Sequence, residues 1–168
     1  MMKLRTHYVF SLGLLYLVDS LVSNDPFYSI MLAIIISVVG NNLIDSLGHE
    51  VKGRYIARSP RTHTFYRSIL WGLSISLPLL VLYYVFPSFY FTLSVALDGL
   101  LVGPSHMILD IFTERGIYRK VNGRWSRVAL AHFSYDNPLA NGLATLLGVL
   151  MLFAAIHYHN YDYYHYFP

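Results

Sequence analysis

Gly103-Pro104-Ser105-His106-Met107-Ile108-Leu109-Asp110-Ile111-Phe112-Thr113-Glu114-Arg115-Gly116 is an apolar stretch that carries one histidine and two acids. On a continuous helix His106, Asp110 and Glu114 recur at i, i+4 and i+8 and form one polar stripe, while Met107, Ile108, Leu109, Ile111 and Phe112 cover the other faces. Neutral imidazole beside carboxylate is a donor pair suited to zinc, manganese or magnesium, provided other segments complete the set. The stretch therefore reads as a site at the end of a membrane helix.

The surrounding chain supports a bilayer as solvent. Of 168 residues, 55% are hydrophobic and only 12% charged, with a mean hydropathy of +0.46. That is too much apolar surface for a soluble domain, so residues 1–168 are read as one integral membrane domain, an all-α polytopic helical bundle. The net charge of +3 and isoelectric point near 9.1 come from short basic clusters between apolar runs. Such clusters are topology signals, and with no recognisable module beside them no nucleic-acid partner is expected. The absence of cysteine excludes disulfides, thiolate metal sites and cysteine nucleophiles.

About five spans follow, at residues 8–22, 27–44, 65–86, 89–112 and 139–158. The first begins after Lys3 and Arg5. A secretory leader shares that charged start and short apolar core, but Asp19 interrupts its end and no small-x-small cleavage site follows, so the segment is read as retained. Ser23-Asn24-Asp25-Pro26 is a turn that starts the second helix. At the end of that helix Asn41, Asp45 and His49 repeat the i, i+4, i+8 spacing. A basic loop with Lys52, Arg54, Arg58 and Arg61 follows and closes on Thr62-His63-Thr64. Pro78 is expected to kink the third span, and Gly103-Pro104 to interrupt the fourth. Residues 113–138 read as a polar, basic loop, and the Tyr/His-rich tail as an outer-surface anchor.

With the N-terminus inside, five spans place all twelve Lys and Arg residues on the cytoplasmic side. The positive-inside rule thus gives a multi-pass protein of the cell membrane with its N-terminus cytoplasmic and its C-terminus outside. The same topology brings His7, Asp45, His49, His63, His106, Asp110, His132 and Asp136 to or near the cytoplasmic interface. Four separated segments then present imidazole and carboxylate at one depth. Asp136 precedes Asn137-Pro138 and reads first as part of a helix start, so it and His132 stand outside the candidate core. The tail histidines His157, His159 and His165 read as interfacial. Asp98 lies deep in the fourth span, where a carboxylate must be protonated, paired or beside water.

Thr6-His7, then Asp45 to His49 with Arg61-Thr62-His63-Thr64, then Ser105-His106 with Asp110, Thr113 and Gly116, form a pattern that resembles the YdjM-type membrane-bound metal-dependent hydrolases, a LexA-regulated bacterial group with archaeal relatives. The resemblance covers about residues 5–118. It implies a metal-dependent hydrolase whose donors are carried on those motifs. Asp45-Ser46-Leu47-Gly48-His49 stands where that family has Asp-x-Asp-His, so one carboxylate of a two-metal set is missing here.

Together these readings give an expected function: a membrane-embedded, metal-dependent hydrolase working at the cytoplasmic face on a phosphoester or lipid-like substrate. His7, Asp45, His49, His63, His106 and Asp110 are the expected ligands of a divalent ion, zinc, manganese or magnesium. Asp45, His63 and Asp110 are the expected catalytic groups. Arg61, Thr62 and Thr64 are expected to hold the substrate anion, since the guanidinium fork suits phosphate. The competing expectation is a non-enzymatic membrane protein, either a metal or proton transporter or a structural subunit, in which the His/Asp pairs merely join helices.

Overall fold

A computed structural model describes residues 2–53, 55–81 and 89–166. Five helices and two small hairpins alternate: α1 (Leu4–Ser20), α2 (Pro26–Gly48), β1 (His49–Lys52), β2 (Tyr55–Arg58), α3 (Phe65–Val81), α4 (Phe89–Asp110), β3 (Ile117–Val121), β4 (Arg124–Val128) and α5 (Pro138–Tyr166). Local signals set the starts. Asp25 caps α2 by accepting from the backbone N–H groups of Phe27 and Tyr28, both at 3.0 Å, with Pro26 at the first helical position. Asn137 caps α5 in the same manner through the Ala140 N–H at 2.9 Å, again followed by proline. The Thr64 hydroxyl accepts from the Arg67 N–H at 3.2 Å and caps α3.

Polarity is inverted relative to a soluble bundle. Ser11, Asp19, Ser37, Asn41 and Asp98 are buried, whereas Leu139, Leu143, Leu147, Leu150 and Phe153 along α5 are exposed, Phe153 to 63%. Lipid is the medium that makes such a surface favourable. Among the described residues three helices are long and apolar enough to cross a bilayer: Pro26–Gly48, Phe91–Asp110 and Pro138–Asn160. This corrects the expectation of five. The described parts of α1 and α3 have 17 residues each, about 26 Å of helix against a hydrocarbon core of about 30 Å. The remainder of the expected third span, residues 82–86, lies outside the described residues. Helix α1 is an internal element that packs on α5, α2 and α4.

The interior is layered. Helix α1 turns His7, Ser11, Leu15 and Asp19 inward at four-residue steps, and α4 turns Asp110, His106, Val102 and Asp98 inward likewise. His7 stacks on His106, Ser11 pairs with Ser105 at 2.7 Å, and Leu15 and Val102 belong to one apolar cluster with Ile36 and Val95. Close helix approach is made by small residues. A Cβ on Gly13 would collide with the Gly148 backbone of α5, and one on Gly72 of α3 with the Gly99 carbonyl of α4.

Three further expectations change. Helix α4 passes through Pro104 without interruption but ends at Asp110, so Glu114 leaves the polar stripe and is exposed in the following turn. Both basic loops contain antiparallel hairpins, β1 with β2 and β3 with β4. The second turns at Asn122-Gly123, both with positive φ (48° and 79°), the backbone that a two-residue hairpin matched to strand twist requires. In the tail, His159 is buried and its ring lies 5.4 Å from that of Tyr16, so it packs within the bundle.

Candidate metal centre

Six side chains from five elements meet at the end of the bundle where the hairpins emerge. Helix α1 delivers His7, α2 delivers Asp45, β1 begins with His49, the turn before α3 carries His63, and α4 supplies His106 and Asp110. His106 Nε2 is 3.4 Å from Asp45 Oδ1 and 3.2 Å from Asp110 Oδ2. His63 Nε2 is 3.6 Å from each of the same two oxygens. His7 Nε2 lies 3.3 Å from Asp110 Oδ1, and His49 Nε2 lies 3.6 Å from Asp45 Oδ1. The His7 and His106 rings are stacked with centroids 3.9 Å apart. Two triads, His7/His106/Asp110 and Asp45/His63/His106, each offer donor atoms within 4.8 Å of one another.

Neighbouring residues aim these donors. The Asn41 amide nitrogen donates to Ser11 Oγ (3.1 Å) and to the Ser37 carbonyl (2.8 Å), which directs its oxygen to His106 Nδ1 at 2.8 Å. His106 therefore carries a proton on Nδ1 and turns Nε2 toward the two carboxylates. The Thr62 hydroxyl donates to the Ile44 carbonyl at 2.8 Å and so accepts from His63 Nδ1 at 2.9 Å, giving His63 the same tautomer. Burial pushes the His63 pKa down to about 4, against the pull of Asp45, so the ring is neutral at pH 7. Burial likewise lowers His49. Gly48 makes room: a Cβ there would strike the Thr62 hydroxyl and the His63 ring.

The set fits a divalent cation on three counts. Both oxygens of Asp45, Oδ2 of Asp110, and Nε2 of His49, His63 and His106 are buried with no hydrogen-bond partner among the described residues, while Asp110 Oδ1 faces Arg58 and His7. Such a concentration of unsatisfied acceptors is costly unless something positive sits among them. Second, the four imidazole–carboxylate separations around His63 and His106 span 3.2–3.6 Å, close to the edge of about 3.4 Å expected for a tetrahedron with ligand bonds of about 2.0–2.1 Å. Third, two carboxylates, Asp45 and Asp110, converge beside a single guanidinium, Arg58, the one buried Lys or Arg among the described residues.

Arg58 was not singled out by its sequence context, where it is one of four cations in a loop. The structure pairs its guanidinium with Asp110 Oδ1 in full burial. It also donates to the Gly116 carbonyl and to Thr113 Oγ1, and the Thr113 hydroxyl donates back to the Asp110 carbonyl at 2.8 Å. Thr113 and Gly116 thus hold the arginine that holds the aspartate. The expected anion-binding trio is placed differently. Arg61 is exposed, and its carbonyl accepts from the Trp71 indole N–H. Thr62 supports His63, and Thr64 caps α3. His132 and Asp136 are exposed and apart from the cluster.

A family model described as "Protein of unknown function (DUF1286)" matches residues 2–109. The chain belongs to this family. Five of the six converging donors fall inside the matched DUF1286 region, and Asp110 is one residue beyond it. No curated protein and no solved structure matches the chain.

Proposed function

We propose that this DUF1286 chain is a membrane-embedded, metal-dependent hydrolase that cleaves a phosphoester at the cytoplasmic face. The observation that carries the reading is the convergence of six metal-ligating side chains, two of them carboxylates, in one buried cluster beside one arginine. The basic character of that end of the bundle and the hydrolase motifs described above support an anionic ester as substrate.

Asp45, His63, His106 and Asp110 hold the ion, with His7 and His49 flanking them. An imidazole nitrogen has one lone pair, and Nδ1 of His106 is engaged by Asn41, so the two triads that share His106 are halves of one centre for one ion. A divalent cation held there supplies Lewis acidity toward a phosphoryl oxygen and lowers the pKa of water from 15.7 toward about 7. His49 is the most exposed of the six side chains, at 17%, and is the donor nearest to solvent. Its imidazole, kept neutral by burial, is the group placed to accept the proton from water. Arg58 fixes Asp110 and offsets its charge.

Transport has weaker support. Below the polar layer of Ser11, Asn41 and Ser105 the fully buried Leu15 and Val102 lie between the centre and Asp19 and Asp98 along α1 and α4. The test is elemental analysis of purified protein with assay of a chromogenic phosphodiester. Wild type is expected to retain a divalent ion and to turn over, and Asp110→Asn to lose both. Equal metal content in wild type, Asp110→Asn and His106→Ala would end the proposal.

A further inference from the structure

We infer that the cleft between the start of α3 and the β3–β4 hairpin is a docking site for the phosphate headgroup of an anionic phospholipid, separate from the metal centre. The cleft encloses about 480 Å³ and is walled by Phe65, Ile111, Ile117 and Val128, with Arg67, Arg119 and Lys120 among its lining residues. Its shape of chemistry is that of an amphiphile: an apolar floor beneath a cationic rim.

The rim is built, not incidental. The Arg67 guanidinium sits 4.8 Å from the centroid of the Trp125 ring and the Lys120 ammonium 5.9 Å from it, so one indole holds two cations. Arg67 is also fixed by donation to the Pro60 carbonyl at 2.9 Å. From Ile117 to Val128 the hairpin carries four cations and no acid, which leaves it without an internal counter-charge. Tyr66, exposed to 71%, and Phe65, exposed to 40%, stand beside the cleft at the first turn of α3, where aromatic rings mark the boundary between headgroups and acyl chains. Cations at that depth attract anionic lipid.

The cleft also backs onto the metal centre. Thr64 and Ile111, each next in sequence to a donor, line it, and the Tyr118 N–H donates to the His63 carbonyl at 2.8 Å. Lipid bound here would brace the strand that positions His63.

The chain has two tryptophans, so Trp71→Phe leaves Trp125 as the only indole. In nanodiscs, brominated phosphatidylglycerol should quench Trp125 fluorescence at lower mole fraction than brominated phosphatidylcholine. Each of Arg119→Gln and Lys120→Gln should weaken that preference about fivefold. Equal quenching by the two lipids would overturn the inference, as would a preference untouched by both substitutions. Millimolar inorganic phosphate should leave the preference intact; its abolition would assign the site to a soluble phosphate and overturn the lipid. The unsubstituted chain, examined for co-purifying phosphatidylglycerol by native mass spectrometry, gives a reading independent of how the variants fold: retained lipid supports the inference and its absence opposes it. Neither measurement depends on the metal, so the two proposals stand or fall separately.

Discussion

His106 uses its two ring nitrogens for different tasks: Nδ1 is committed to Asn41, and Nε2 faces both carboxylates. Replacing Asn41 with Leu removes the tautomer constraint without touching a donor, and metal affinity measured by competition with a chelating dye should fall about 10–100-fold, the usual cost of losing such a partner. Gly48→Ala should act by crowding, with lost metal and a retained helical spectrum, since the added methyl meets the His63 ring. Arg58→Met leaves the Asp110 charge buried and unpaired. Its unfolding free energy in detergent should drop by about 3–5 kcal/mol. At this scale the donors were legible, because i, i+4 spacing on an apolar helix marks a shared face whatever the fold. Arg58 was hidden among loop cations of identical type, and the roles of Thr62 and Thr64 depend on which backbone groups lie beside them, which spacing does not encode.

Between elements, close contact depends on residues without side chains. Helices α3 and α4 meet at Gly72 and Gly99, where a side chain on one would strike the backbone of the other. Gly72→Leu should part the two helices and carry His63 away from His106, lowering thermal stability and metal content together. Metal content that persists in a folded Gly72→Leu variant would contradict the packing described. The helices themselves were readable from apolar length, and Asp25-Pro26 and Asn137-Pro138 marked their starts. The hairpins were not read, although Asn122-Gly123 between Ile-Tyr-Arg-Lys-Val and Arg-Trp-Ser-Arg-Val carries the turn signal. The density of charge made the stretch resemble a solvated loop. The number of spans was overcounted for a related reason: hydropathy records that α1 is apolar, but not that its Ser, Asp and His side chains face inward among other helices.

For the molecule as a whole, the ends of α2 and α4 and the beginnings of α1, α3 and α5 lie together, as the packing of Met2 with Leu109, Ala140 and Ala144 shows. The basic hairpins project from that same end. We expect a maleimide that cannot cross the membrane to leave Asn122→Cys unlabelled in intact cells and to label it after permeabilisation; the chain's lack of cysteine gives a clean background. Labelling from outside would reverse the orientation inferred from charge. The expectation that the donors share one end came with the five-span reading, whose span count the structure corrects, and the donors do cluster at one end of the bundle. Their depth of burial was not part of that expectation, because a charge count cannot tell a residue at a helix end from one sealed beneath a hairpin.

Helix α1 brings the first of the converging imidazoles, while the second carboxylate arrives only with the end of α4. If the proposed ion binds, its capture must accordingly be a late event in biogenesis, after most of the polypeptide has been threaded into lipid. Because binding would then draw together helices that lipid alone attracts only weakly, stripping the ion with a chelator should loosen the amino-terminal helix from its neighbours and expose it to proteolysis before the rest of the bundle gives way.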